Sequence, residues 1–225
     1  MFRKILFPLL LGLAGCAVLV SLGLWQVERL AWKEAILAEV DSRLQSEPIP
    51  LSTDVSEAED EYGRVTLTGI ATGDELHVLD SGTQAGTGYR VIARLDSDIG
   101  PVMADLGLLP IADKEAAPLT GAVSITGTLL WPDDLNDSTP EPDLGRNIWF
   151  ARDVPAMAQA LDTQELLVVV STMSPADPRV TPLPVTTASI KNDHLEYAIT
   201  WFLLAIVWAV MSLYLIRRTL RPTKD

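Results

Sequence analysis

A polar cluster leads into an apolar run at Asn192-Asp193-His194-Leu195-Glu196-Tyr197-Ala198-Ile199-Thr200-Trp201-Phe202. The uncharged run, residues 197–216, is about 20 residues long, enough for a helix to cross a bilayer. On a helix, side chains three and four positions apart share one face. Here that face carries an imidazole, aromatic rings and small side chains, from His194, Tyr197, Ala198, Trp201, Ala205 and Trp208. It suits one wall of a site for a flat, apolar, metal-containing ligand, and equally an aromatic anchor at a membrane interface.

A second uncharged run, residues 5–27, lies near the other end of the chain and is about 23 residues long. We therefore predict two transmembrane helices, at residues 5–27 and 195–216. Basic residues flank their outer ends, namely Arg3, Lys4, Arg217, Arg218, Arg221 and Lys224. Because positive charge favours the cytoplasmic side, residues 1–4 and 217–225 are predicted to be cytoplasmic and the middle of the chain extracytoplasmic.

The segment between the two runs is strongly acidic. The two basic tails hold 6 of the 17 Lys and Arg residues, whereas 29 of the 30 Asp and Glu residues lie between the runs. The middle of the chain therefore carries a net charge of about −18. This charge argues against nucleic acid as a partner and against binding flat on an anionic lipid surface. It favours a solvated domain with a cationic or neutral partner.

The chain has a single cysteine, Cys16, inside the first apolar run. An intramolecular disulfide and a paired-thiolate metal site are therefore excluded. Leu13-Ala14-Gly15-Cys16 resembles the cleavage site of a lipoprotein signal peptide. The apolar run continues beyond Cys16, however, whereas a cleaved signal is followed by a polar chain. An uncleaved helix is the favoured interpretation.

Good helix formers without Gly or Pro continue the first helix out of the membrane to about residue 44, before Pro48. Trp25, Arg29 and Trp32 lie on one face of this extension. An interfacial anchor would show the same pattern. Alternatively, these side chains meet the face that begins at His194, because both lie at the same membrane surface.

The segment at residues 48–191 has the pattern of one β-rich domain. Short runs alternate with a period of two and are separated by Gly, Pro, Asp and Ser, at residues 64–69, 75–79, 89–95, 101–106, 122–130 and 166–170. Such runs predict a small barrel or an antiparallel sandwich. A short helix is predicted at residues 155–161, with Asp153 or Val154 near its start, and exposed loops at 136–147 and 174–184. The fold class is thus a membrane protein of α+β type, with two terminal helices flanking an extracytoplasmic β-rich domain.

The inventory of reactive side chains favours binding over catalysis. The chain has two histidines, His77 and His194, in different elements, which is too few for a zinc site built from His and Cys. Neither lies in a nucleophile motif, and no phosphate-binding loop is present. His77 is predicted to point outward from a strand. The chain is accordingly not expected to be an enzyme.

Two end motifs carry a resemblance to the surfeit locus protein 1 family. They are Leu22-Gly23-Leu24-Trp25-Gln26-Val27-Glu28-Arg29-Leu30-Ala31-Trp32-Lys33 and the stretch from Asn192 to Phe202 quoted above. Between them, Pro48-Ile49-Pro50-Leu51, residues 62–69, residues 123–131 and Asn147-Ile148-Trp149-Phe150-Ala151-Arg152-Asp153 are also similar, in the same order. One departure is Asp105-Leu106-Gly107-Leu108-Leu109-Pro110, where many members have an Arg-Gly-aromatic-Val-Pro turn after a strand.

The resemblance implies an assembly factor for haem-copper terminal oxidases, notably cytochrome c oxidase, in a bacterial inner membrane. It implies that haem a is bound and placed in the catalytic subunit of the oxidase, with haem a synthase as a further partner and lipid around the helices. His194 corresponds to the family's proposed haem ligand, with its imidazole on the iron. Trp201, Tyr197, Trp25 and Gln26 are the other expected pocket residues, and Arg29 is expected to pair with a haem propionate. The alternative is a membrane scaffold that docks on an oxidase assembly intermediate without binding haem.

Overall fold

A computed structural model of the protein describes residues 2–83, 85–188 and 190–220, with the side chains of residues 5–82, 85–188 and 190–220. Arg3, Lys4, Arg221 and Lys224, which support the predicted orientation, lie outside these side chains. The chain divides into two compact units. Met1–Glu39 and Ala188–Asp225 form the first, here called the helix pair, and Val40–Thr187 form the second, here called the barrel domain.

The elements follow one another in an order that confirms two terminal helices around a β-rich middle. The helices are α1 (Phe2–Leu44), α2 (Glu57–Asp60), α3 (Val154–Leu161) and α4 (His194–Leu220). The strands are β1 (Ile49–Pro50), β2 (Arg64–Thr83), β3 (Gly86–Ser97), β4 (Gly100–Pro110), β5 (Gly121–Leu129) and β6 (Leu167–Ser174). A 3-10 turn at Ile111–Asp113 follows β4.

Both α1 and α4 are long and apolar enough to cross a membrane. Only 6% of the most apolar window of each helix is buried by the rest of the chain, so their leucine and valine side chains are left uncovered. Such large exposed apolar surfaces are stable in lipid and not in water. α1 continues beyond its apolar run to Leu44, as predicted, and α4 begins at His194, one residue before the predicted start, and ends at Leu220.

The six strands form one sheet that closes on itself. β2 pairs with both β3 and β5, β3 pairs with β4, β4 with β6, and β6 with β5, while the short β1 adds to β2. The sheet is therefore a five-stranded barrel with one extra strand, which confirms the predicted small barrel. The pairing is mixed, because β4 and β6 run parallel, as do β1 and β2.

The barrel domain has two apolar clusters on opposite faces of its sheet. On β3, Val91 and Leu95 point into the barrel, whereas Ile92 points outward under α3. α3 buries its own Met157 and Leu161 against that outer face. These strands are buried on both faces, which explains why they read as nearly continuous apolar runs.

The predicted short helix is confirmed as α3. Asp153 is its N-cap residue and its carboxylate accepts a hydrogen bond from the backbone N–H of Ala156 at 3.1 Å. Pro155 lies in the first turn, where a missing N–H costs nothing.

Two strand predictions differ from the structure. The runs at residues 64–69 and 75–79, predicted as separate strands, belong to the single strand β2, with a register irregularity between Ala71 and Glu75. The run predicted at residues 101–106 is longer in the structure, where β4 extends to Pro110. Gly107 has a φ of +117° there, and a Cβ at this position would collide with the carbonyl oxygen of Thr181. A residue with a Cβ would not fit at this position, because a neighbouring segment passes across it.

Candidate functional site

The two helices of the helix pair approach each other through glycines on α1. A Cβ on Gly23 would lie 2.6 Å from the ring of Phe202, and a Cβ on Gly15 would overlap the indole of Trp208. Small residues at the contact allow the backbones of transmembrane helices to approach closely enough to pack. The pairing is antiparallel, because residues early in α1 meet residues late in α4.

Two side chains reach across this contact to backbone carbonyls. The indole Nε1 of Trp208 donates to the carbonyl oxygen of Gly12 at 3.2 Å, and the thiol of Cys16 lies 3.9 Å from the carbonyl oxygen of Ala205. Trp208 and Cys16 therefore act in helix packing.

His194 and Gln26 form a polar contact between the two helices at the N-terminal end of α4. The imidazole Nδ1 lies 2.7 Å from the amide oxygen Oε1 of Gln26, which is only 8% exposed. A carbonyl oxygen can only accept, so Nδ1 carries the hydrogen of this bond. In the neutral ring, Nε2 then holds a lone pair. Among the described residues, Nε2 has no hydrogen-bond partner.

The other predicted pocket residues are less closely associated with His194. Tyr197 and Trp25 are exposed, and Trp201 is partly buried. The guanidinium of Arg29 lies over the ring of Trp32, 3.9 Å from its centroid. Within the described part of the chain, no side-chain hydrogen bond joins any of these residues to His194. The structure thus brings His194 and Gln26 together by a hydrogen bond, whereas Tyr197, Trp25 and Arg29 are exposed.

The segment before α4 is held to α1 by polar contacts. Lys33 of α1 donates to the carbonyl oxygen of Lys191. Asp193 lies 2.5 Å from the ammonium of Lys191, and this hydrogen bond and charge raise the pKa of that ammonium. The amide oxygen of Asn192 is buried and has no partner among the described residues. These contacts fix the position from which His194 begins its helix.

The second histidine, His77, was predicted to point outward, and this is wrong. It is buried, and its Nε2 bonds to Oε1 of Glu75 at 3.0 Å. The segment at residues 174–184, predicted to be an exposed loop, is exposed at most of its positions and contacts this face of β2 through Arg179. In that segment Asp177 is buried, and Arg179 reaches both carboxylate oxygens of Glu75, at 3.0 and 2.9 Å.

Arg179 is a residue that the sequence analysis did not single out. Its guanidinium also contacts the carboxylate of Asp177 at 2.8 Å. Burial alone would raise the pKa of Glu75, but hydrogen bonds and charge from His77 and Arg179 outweigh it, so this pKa lies below its ordinary value. A lone arginine between prolines, in a chain so rich in acids, was the available signal. Arg179, Glu75 and Asp177 therefore form a buried ion cluster that stabilises the fold.

The donor set suits an axial nitrogen on a haem iron better than a metal ion held by several side chains. Among the described residues, no three His, Cys, Asp or Glu side chains are placed to share a metal. The porphyrin of a haem supplies four nitrogens to the iron, and the protein supplies a further ligand such as a histidine. The lone pair on Nε2 of His194 would meet that requirement.

Comparison with known proteins agrees with the resemblance in the end motifs. A protein-family model described as SURF1 family matches residues 13–206 of the chain. The chain is 30% identical to Surfeit locus protein 1 of Xenopus tropicalis over 210 residues, covering 81% of this chain and 67% of that protein. It is 28% identical to Surfeit locus protein 1 of Homo sapiens, covering 81% and 68%. It is 26% identical to a SURF1-like protein of Rickettsia felis, covering 89% and 92%.

Proposed function

The chain belongs to the SURF1 family, and from that premise we propose that it is a non-enzymatic assembly factor for cytochrome c oxidase. It binds haem a in the helix pair and helps to place it in the catalytic subunit of the oxidase. Haem a synthase is the second protein partner, as the source of the haem.

The observation that carries this proposal is the state of the His194 ring. Nδ1 is bonded to Gln26 at 2.7 Å, while Nε2 has no partner among the described residues. Ligating histidines generally donate their other ring hydrogen to an oxygen, which fixes the tautomer and the ring orientation. His194 already has this arrangement within the protein alone. The lone pair on Nε2 is therefore available to a metal such as a haem iron.

The surrounding residues supply the remaining contacts in this proposal. When bound, the haem supplies an iron centre that accepts an imidazole nitrogen, and a flat ring that stacks on aromatic side chains. Trp201, Tyr197 and Trp25 provide such rings, and two of them are exposed. Arg29 keeps its hydrogen-bond donors while its flat face rests on Trp32, so it remains able to pair with a propionate.

The proposed location is a bacterial inner membrane, with both termini in the cytoplasm and the barrel domain in the periplasm. Arg217 and Arg218 in the last turn of α4 support this orientation, because basic residues favour the cytoplasmic side. The acidic barrel domain then lies where the oxidase presents its outer surface.

The exposed aromatic residues favour a second candidate function. Trp25 and Tyr197 lie uncovered at the end of an apolar run, as anchors at a lipid interface do. In that case the protein is a scaffold that docks on an oxidase assembly intermediate, and His194 serves helix packing. A scaffold of this kind would be colourless when purified.

The test is an absorption spectrum of the detergent-purified protein from cells that make haem a. The wild type is compared with His194→Ala and with His77→Ala as a matched control, since these are the only histidines. We expect a haem spectrum in the wild type and His77→Ala, and its loss or shift in His194→Ala. A colourless wild type would support the scaffold, and an unchanged spectrum in His194→Ala would refute His194 as the ligand.

A further inference from the structure

We propose that Gln26 is a positioning residue that acts through His194 and does not itself contact the haem. By accepting a hydrogen bond from Nδ1, it selects the tautomer in which Nε2 is the nitrogen offered to the iron. This inference rests on the proposed function. It changes the role expected for Gln26, which no longer contacts the haem but determines which imidazole nitrogen of His194 can bind the iron.

The position of Gln26 supports this role. Gln26 lies near the end of the uncharged run at residues 5–27 of α1 and is 8% exposed. A buried amide without a hydrogen bond costs free energy, so its partner matters. The partner that the structure gives it is Nδ1 of His194, on the other helix, at 2.7 Å. The hydrogen bond between Gln26 and His194 therefore joins α1 to α4 at the first residue of α4.

The chemistry of the two groups determines the tautomer. An amide oxygen accepts hydrogen bonds and cannot donate them. A neutral imidazole has one N–H and one lone pair, so a hydrogen on Nδ1 leaves the lone pair on Nε2. Within the described residues, Nδ1 has no other acceptor. Without Gln26 the ring is free to rotate and to carry its hydrogen on Nε2, and such a ring has no lone pair there for iron.

The alternative arrangement has the opposite consequence. If the amide of Gln26 donated its N–H to Nδ1, the hydrogen would lie on Nε2 and block it. Leucine would weaken haem binding in the proposed arrangement but not in this alternative, whereas glutamate keeps the proposed arrangement because its carboxylate can only accept. Leucine at the same position has a similar size and offers no acceptor.

The first experiment is a haem titration of the detergent-purified full chain, with wild type, Gln26→Glu, Gln26→Leu and His194→Ala. Loss of a group that orients a metal ligand typically weakens binding by about 10–100-fold. We expect this weakening in Gln26→Leu, whereas Gln26→Glu binds as tightly as the wild type or more tightly. Equal binding by wild type and Gln26→Leu, or loss of binding in Gln26→Glu alone, would overturn the proposal.

The second experiment needs no haem. The protein labelled with 15N-histidine gives ring signals from two residues only, and His77→Ala leaves those of His194 alone. The spectra are recorded at basic pH, because the nitrogen shifts of a neutral imidazole distinguish the N–H from the lone-pair nitrogen. We expect Nδ1 to carry the hydrogen in the wild type and in Gln26→Glu, and this preference to be lost in Gln26→Leu. A hydrogen on Nε2 in the wild type would refute the proposal.

The two experiments separate this proposal from the proposed function. If no variant binds haem but the tautomer changes as expected, the positioning role stands and haem binding by this protein fails. If the wild type binds haem through His194 and Gln26→Leu binds equally well, the proposed function stands and the role of Gln26 fails.

Discussion

Replacing Arg179 with leucine should destabilise the barrel domain by about 3–5 kcal/mol. The guanidinium contacts both carboxylate oxygens of Glu75, at 3.0 and 2.9 Å, and the carboxylate of Asp177 at 2.8 Å. It also donates to the carbonyl oxygen of Ala116 at 3.3 Å. The variant would keep the two carboxylates and remove the cation between them.

The magnitude follows from how little water reaches this cluster. The side chains of Arg179, Glu75 and Asp177 are 10%, 9% and 1% exposed. Removing one partner of a buried ion pair costs about 3–5 kcal/mol, because a charge is left without compensation, and here two carboxylates are left. For a chain of this size, each kcal/mol lowers the melting temperature by about 2–4 °C. We therefore expect a decrease of about 6–20 °C.

The assay is thermal unfolding of the full chain in detergent, followed by circular dichroism of the β-sheet signal. The matched control is Arg146→Leu, because Arg146 pairs with Asp143 at 2.6 Å but is 73% exposed. An exposed pair of this kind contributes at most about 1 kcal/mol. If Arg179→Leu melted within about 4 °C of Arg146→Leu, the ion cluster would not be the stabilising element that its burial indicates.

Two further outcomes are expected. The pKa of Glu75 is lower in the folded protein than its ordinary value, so the stability it contributes is complete above about pH 4.3 and is lost as the pH falls through the folded-state pKa. As the pH is lowered below about 4.3, the wild type should lose more melting temperature than Glu75→Gln, and equal losses would contradict this. Gly23→Leu should separate the helices and weaken haem binding in the absorption assay, since even a Cβ there would lie 2.6 Å from Phe202 and overpacking costs about 1–3 kcal/mol. Ala17→Leu, at an exposed position of α1, is its control and should bind haem as the wild type does.

The helices and most strands could be predicted because their signals are local. The apolar runs predicted α1 and α4 to within a few residues, and Asp153 with Pro155 predicted the start of α3. The parallel pairing of β4 with β6 could not be predicted in the same way. These strands are separated by β5 and α3 in the chain, so their pairing depends on closure of the barrel and leaves no local pattern.

His77 shows where a correct local pattern gave a wrong conclusion. Its neighbours Leu76 and Val78 pack under α3, so alternation does place His77 on the opposite face of β2. That face is turned toward the barrel interior, since His77 pairs with Val91 of β3, and Arg179 bonds to the adjacent Glu75 across 104 residues of sequence. Periodicity indicates the face of a strand, and it does not indicate which distant segment covers that face.

The contrast between the two histidines explains why only one is a candidate ligand. The imidazole of His77 is enclosed, with Nε2 bonded to Glu75 and Nδ1 buried. His194 is only partly buried, and its Nδ1 is bonded to a neutral amide. A carboxylate in place of that amide would make the imidazole a stronger donor to iron. Under the proposed function, a neutral partner suits a protein that must also release its haem, because it orients the ligand without increasing its basicity as a carboxylate would.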